Sequence, residues 1–191
     1  MKDRIERILR ATASTHQDMV GQADEIEQVG RRLVEVLRRG GVIYTMGNGG
    51  SAADAQHMAC ELVGRFQMER APLPCHALST DTSVLTAVAN DYTVEDVFTK
   101  QVQAFVGAED AVIGFSTSGN SPNVVAAVRE ARRRGALTVG FTGRGGGALA
   151  AECDLLLTAP ADATPRVQEA HATVIHILCE LIEIELFGQG D

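Results

Sequence analysis

Val42-Ile43-Tyr44-Thr45-Met46, followed at once by Gly47-Asn48-Gly49-Gly50-Ser51, is the stretch that decides the fold. The first five residues are apolar, aromatic or β-branched and come directly after the helix-stopping pair Gly40-Gly41, so they read as a short buried strand. The glycine-rich run then opens into helical periodicity, giving a strand, a tight turn and a helix. Glycines let a backbone turn sharply and bring its N–H groups close to a ligand, and a helix N-terminus favours negative charge. The run is not a Walker A loop, because no Lys-Ser/Thr follows, and it is not the GxGxxG dinucleotide fingerprint. Ser51 reads as the N-cap of the helix. A structural turn and an anion cradle both remain open for this loop.

Outward from that unit the same alternation repeats. Further strands are expected at 75–78, 111–115, 137–141 and 154–157, with helices near 51–66, 81–90, 95–106 and 122–134 and a long closing helix from about 165 to 187. Upstream, Ile5, Ile8, Leu9 and Ala13, and then Ile26, Val29, Leu33, Val36 and Leu37, recur mostly at spacings of three and four, so residues 1–40 read as a helical extension. The apolar face of its first part (Ile5, Ile8, Leu9) suits either a subunit interface or packing within the chain. Short apolar strands alternating with amphipathic helices predict a parallel sheet covered on both faces, an α/β fold. With no repeat, low-complexity tract or long linker, the 191 residues read as one domain whose sheet core spans 41–160.

Bulk properties narrow the function. Apolar residues make up 45% and charged residues 22%, which fits an ordinary folded protein. The net charge of −8 argues against a nucleic-acid or membrane-surface partner. Anion binding would therefore need a local arrangement of donors. Cys60, Cys75, Cys153 and Cys179 form no CxxC pair and read as free buried thiols. MKDRIERILR lacks the apolar stretch of a signal peptide and no 18-residue apolar run exists, so the cytoplasm is the expected location.

A second loop supplies the donors. The third strand runs into Ser116-Thr117-Ser118-Gly119-Asn120-Ser121-Pro122, with Ser121 placed as N-cap and Pro122 at the first helical position. One cap needs one hydroxyl, yet four hydroxyls fall within six residues. That cluster, ahead of a helix N-terminus, suits the oxygens of a phosphate monoester. Without a lysine or a Walker B carboxylate it does not suit a nucleoside triphosphate. Thr142-Gly143-Arg144-Gly145-Gly146-Gly147 could also meet an anion but reads as a flexible turn. Open sheets bind ligands beyond the carboxyl ends of their strands, which is where these loops fall.

Acid–base groups lie on two helices. His57 and Glu61 are four residues apart and share a face, with Asp54 nearby. Such a pair is commonly a surface contact, but this one lies on the helix whose N-terminus follows the glycine loop. The closing helix carries Gln168, Glu169, His171 and His176; His176, flanked by Val174, Ile175, Ile177 and Leu178, could be a core histidine, and a carboxylate such as Glu61 would be a good partner for it.

The segments 47–51, 56–62 (Gln-His-Met-Ala-Cys-Glu-Leu), 116–121 and Gln168 to His176 resemble the phosphoheptose isomerases of the sugar isomerase (SIS) superfamily, over essentially the whole chain. The serine-rich loop would point only to the superfamily; the His57–Glu61 and Gln168–His176 pairs narrow it to this branch. The resemblance implies a flavodoxin-like SIS fold, with a five-stranded parallel sheet, helices on both faces, extra N-terminal helices and a long C-terminal helix. It implies a homotetramer with active sites at subunit interfaces. It also implies conversion of D-sedoheptulose 7-phosphate to D-glycero-D-manno-heptose 7-phosphate, the first step toward nucleotide-activated heptoses. Carried over, Glu61 and His176 become the catalytic pair, and His57, Glu61, Gln168 and His176 become zinc ligands. Asn48, Gly49, Gly50, Glu61, Asn90, Asp91, Ser116, Thr117, Ser118, Ser121 and Gln168 become substrate contacts. Gln168 and His176 are eight residues apart, about 12 Å along a helix axis. One ion would thus need side chains leaning together or ligands from different subunits. Two other functions compete: a non-catalytic SIS protein that binds the bacterial replication initiator, and an isomerase of another sugar phosphate. The initiator-binding branch lacks residues equivalent to Glu61 and His176, both of which this chain has.

Overall fold

A computed structural model describes residues 1–188. Two helices lead, α1 (Lys2–Met19) and α2 (Ala23–Arg38), joined by a short 3-10 turn at Val20–Gln22. The alternating core follows: β1 (Ile43–Gly47), α3 (Gly50–Val63), β2 (Cys75–Ala77), α4 (Thr82–Asp91), α5 (Asp96–Phe105), β3 (Ala111–Ser116), α6 (Pro122–Arg133), β4 (Leu137–Thr142), β5 (Leu155–Thr158) and α7 (Thr164–Phe187). Every strand and helix expected from the sequence is present, with ends displaced by at most three residues.

The five strands are all parallel in the order β2-β1-β3-β4-β5. Register pairs Ile43 with Ala111 and Gly47 with Phe115, then Ser116 with Thr142. The order reverses at β1, so the connections leaving β1 and β3 cross to opposite faces. A crevice opens at such a switch point, outside the strand ends. It lies between the glycine loop and the serine loop, which is why those two sequences meet.

Alternation along the strands divides the core. Ile43, Ile113, Phe115, Val139 and Phe141 pack with Leu33, Met58, Leu62, Ile175 and Leu178 of α2, α3 and α7. On the other face Met46, Val112 and Leu78 pack with Phe98, Val102, Val124 and Val128 of α5 and α6. In α2 the buried set Ile26, Val29, Leu33 and Val36 forms the three-to-four spaced stripe expected of a helix covered on one side. In α1 the apolar residues Ile5, Ile8 and Leu9 stay exposed, so packing within the chain is not their use. Among the described residues no helix is long and apolar enough to cross a membrane.

Three local expectations change. The N-cap of α3 is Gly49, and Ser51 is buried inside the first turn, its N–H donating to the Asn48 carbonyl at 3.0 Å. Residues 143–147 are a buttress, not a loose turn: the Gly143 N–H donates to Thr117 O (2.9 Å) and the Leu149 N–H to Gly119 O (2.9 Å). Gly119 has φ +67°, and a β-carbon there would overlap the Gly146 carbonyl, so only glycine lets the loops touch. Of the four free thiols, Cys75 and Cys179 are buried, but Cys60 is exposed on the outer side of α3.

Candidate active site

The serine loop is folded by its own hydroxyls. Ser121 occupies the N-cap of α6 without a side-chain cap bond. Its Oγ instead meets Ser116 Oγ at 2.9 Å. Ser118 Oγ accepts the Asn120 N–H (3.1 Å), and Asn120 Oδ1 accepts the Ala148 N–H (2.9 Å), fastening the loop to the buttress behind it. Ser118 is exposed and Thr117 and Ser121 are half-buried, whereas Ser116 lies beneath them. The loop thus offers hydroxyls at the mouth of a helix N-terminus, the arrangement that holds an anion.

The glycine loop is locked to it by a contact the sequence did not suggest. Asn48 and Asn123 exchange two amide hydrogen bonds, each 2.9 Å, and Asn123 Oδ1 also accepts the Val124 N–H at 3.0 Å. Asn123 is buried in the first turn of α6, and only the switch-point topology brings it to Asn48. Beside this pair is a cleft of about 350 Å³ whose lining includes Asn48, Gly49, Ser79, Thr86, Phe98 and Asn123. Asn90 and Asp91 sit exposed at the end of α4, bonded to each other at 2.8 Å and outside that lining.

Helices α3 and α7 run alongside each other in the same direction. At their upper level Gln168 lies against Gly50, so closely that a β-carbon on Gly50 would overlap the Gln168 amide. Two turns further down, His57 Nε2 meets Glu61 Oε1 at 3.2 Å and His176 Nε2 at 3.2 Å. One ligand atom from each of these three residues falls within 4.8 Å of the others. The structure therefore joins His57, Glu61 and His176 and places Gln168 at the glycine loop.

The donor set fits a cation. Two imidazole nitrogens facing one carboxylate oxygen repel one another through their lone pairs unless a proton or metal lies between them. Tetrahedral zinc with bonds of roughly 2.0–2.1 Å separates neighbouring ligand atoms by about 3.3 Å, close to the 3.2 Å from His57 Nε2 to each of its two neighbours. His176 is exposed, and Phe66 stacks on its ring at 5.5 Å with planes 20° apart. Asp54, between the glycine loop and His57, has an Oδ2 with no partner among the described residues. Burial pushes its carboxyl up to about 6, against the downward pull of His57.

The core histidine of α7 is His171, not His176. Positions 167, 170, 171, 174, 175, 178, 179, 182 and 183 form the buried stripe; 176 lies at its edge, on the side of 183, and is exposed despite its apolar neighbours. His171 is 2% exposed, donates from Nε2 to Thr142 O at 3.1 Å, and packs its ring against Phe141. Desolvation drives its pKa down to about 4, more than the Thr142 bond raises it.

A glycine loop and a serine loop that meet at the switch point of an open parallel sheet, with a His–Glu–His cluster on the adjoining helices, define the architecture of an α/β small-molecule site. The SIS domain pattern matches residues 7–143. The chain is 55% identical over 163 residues to a phosphoheptose isomerase of Trichlorobacter lovleyi, covering 85% of this chain and 83% of the relative. With a phosphoheptose isomerase of Geobacter sp. the identity is 47% over 192 residues, across the full length of both. Among solved structures, the phosphoheptose isomerase of Neisseria gonorrhoeae superimposes with a TM-score of 0.90 at 40% identity, covering 95% of this chain and 98% of that one. That of Francisella tularensis gives 0.91 at 34% identity, covering 94% and 96%. The chain belongs to the phosphoheptose isomerases of the SIS domain family.

Proposed function

We propose that this chain is an aldose–ketose isomerase that converts D-sedoheptulose 7-phosphate to D-glycero-D-manno-heptose 7-phosphate. The observation that carries the reading is the convergence of the Glu61 carboxylate and the His176 imidazole around His57, on the helices behind the phosphate cradle. A non-catalytic initiator-binding protein has no use for that pair, and the relatives named above are isomerases.

In this reading Ser116, Thr117, Ser118 and Ser121 hold the phosphate, and Asn48, Gly49, Gly50 and Gln168 orient the sugar chain. Glu61 takes the proton from C1 of the ketose and returns it to C2. His176 moves protons between the two oxygens, so that the enediol collapses to the aldehyde. Nothing is added or lost overall. Each proton-transfer group contributes roughly 10²–10⁴-fold. His57, Glu61, His176 and Gln168 are the residues that would hold zinc, the first three already drawn together, and Gln168 would also touch the sugar. When bound, the ion supplies polarisation of the substrate's oxygens.

The protein works in the cytoplasm as a homotetramer with sites at subunit interfaces. The exposed Ile5, Ile8 and Leu9 supply an apolar face for assembly, and the exposed Asn90 and Asp91 are free to complete a neighbouring subunit's site.

The test is conversion of sedoheptulose 7-phosphate by purified protein, with and without zinc, beside Glu61→Gln and His176→Ala. Turnover is expected for the wild type, with loss of both turnover and C1 proton exchange with solvent in Glu61→Gln. Exchange that survives Glu61→Gln but vanishes in His176→Ala would reverse the two roles. No turnover by zinc-loaded protein would shift the function to another sugar phosphate or to initiator binding.

A further inference from the structure

Below the triad, α3 and α7 are joined by a second polar cluster that the chemistry above does not use. The side chains of Arg70 and Glu183 are each 1% exposed. Glu183 accepts the backbone N–H groups of Phe66 (2.9 Å), Gln67 (2.9 Å) and Met68 (3.1 Å), together with Arg70 Nε (2.8 Å). Burial pushes the Glu183 carboxyl up, but these four donors outweigh it and hold it below the usual carboxylate range. Arg70 places its other donors on carbonyls: Nη1 on Leu62 (2.8 Å), Gly64 (3.3 Å) and Ala71 (3.1 Å), and Nη2 on Glu61 (2.8 Å).

A buried ion pair is a poor means of gaining stability, since apolar residues of the same volume often do as well. What apolar residues cannot do is fix individual backbone groups in place. Apart from the Arg70–Glu183 bond itself, each bond of this cluster ends on a backbone group of residues 61–71, where α3 ends and the chain leaves it. Three links then lead to the triad. The carbonyl held by Arg70 Nη2 belongs to Glu61 itself. Glu183 follows His176 by seven residues, two turns along the same side of α7. Phe66, whose N–H ends on Glu183, lays its ring on the His176 imidazole.

We propose that Arg70 and Glu183 are positioning residues for the His57–Glu61–His176 metal site. They hold α3 and α7 in register and, through Phe66, hold the His176 ring in its ligating orientation. The inference rests on the metal reading of the triad. It explains why the position needs arginine: one planar fork reaches Glu183 and the Glu61 and Leu62 carbonyls together, which a lysine ammonium cannot.

The test measures zinc affinity of the full-length protein by competition with a chromophoric chelator, and the visible absorption of the cobalt(II)-loaded form. The variants are Arg70→Lys, Glu183→Gln and Phe66→Leu, with Phe66→Tyr as the conservative control. Supporting bonds around metal ligands are typically worth on the order of 10–100-fold in metal affinity. That loss is expected in the first three, with an altered cobalt spectrum and with near wild-type behaviour in Phe66→Tyr. A merely structural pair would lower Tm while leaving zinc affinity and cobalt spectrum of the folded protein unchanged, and that result overturns the proposal. Should Arg70→Lys and Glu183→Gln fail to fold, Phe66→Leu decides, because it leaves the pair intact; wild-type zinc affinity there overturns it. A wild-type protein that binds neither ion removes the metal reading and this inference together. Wild-type binding with unaltered variants removes the inference alone.

Discussion

His171 sets a defined acid limit on stability. In the unfolded chain it titrates at an ordinary 6.5; folded, burial lowers its pKa to about 4. The folded value lies below the unfolded one, so between them the unfolded state binds the extra proton. The stabilisation is fully present above the unfolded pKa and is lost as pH falls from 6.5 toward 4. At about 1.36 kcal/mol per pH unit the whole gap is worth ~3.4 kcal/mol, and lowering pH from roughly 7.5 to 5 forfeits ~2 kcal/mol of it. Asp54 acts oppositely: its raised pKa relieves a buried charge as pH falls, so the total pH profile mixes both signs. The difference between wild type and His171→Leu isolates the histidine. That substitution leaves Thr142 O with the Ala159 N–H at 2.8 Å, so no carbonyl is orphaned. Urea unfolding at fixed protein concentration, at both pH values, should show wild type losing ~2 kcal/mol more than the variant. Equal losses in the two proteins, or an imidazole resonance of His171 titrating near 6.5, would refute the reasoning.

Two further perturbations separate binding from folding. Gly50→Ala places a β-carbon against the end of the flexible Gln168 side chain, so the amide moves while the fold persists. Tm should stay near wild type, and KM for the sugar phosphate should rise about tenfold, the worth of roughly one hydrogen bond; an unchanged KM removes Gln168 from the site. Asn123→Ala breaks the reciprocal amide pair that ties the glycine loop to the serine loop. A stability loss of ~1–2 kcal/mol by denaturant unfolding, with a raised KM, is expected; a raised KM without any loss of stability would mean that Asn123 touches substrate directly.

What the sequence determined by itself is whatever rests on local or periodic chemistry. Strand and helix identities followed from apolar periodicity and glycine punctuation, and the serine loop stood out because four hydroxyls exceed what one cap requires. The pairing of His57 with Glu61 was legible because four residues make one helical turn. Tertiary structure decided what depends on distance across the chain. His171 and His176 have equally apolar neighbours, and only the packing of α7 on the sheet shows which phase is buried. Asn123, Arg70 and Glu183 carry no signal in their own segments, since a polar side chain gains its meaning from the partner that satisfies it once water is excluded. Those partners lie 75 residues from Asn123 and 113 residues from Arg70 along the chain. The reversal of strand order at β1 brings the two loops together, and the parallel packing of α3 on α7 joins the triad.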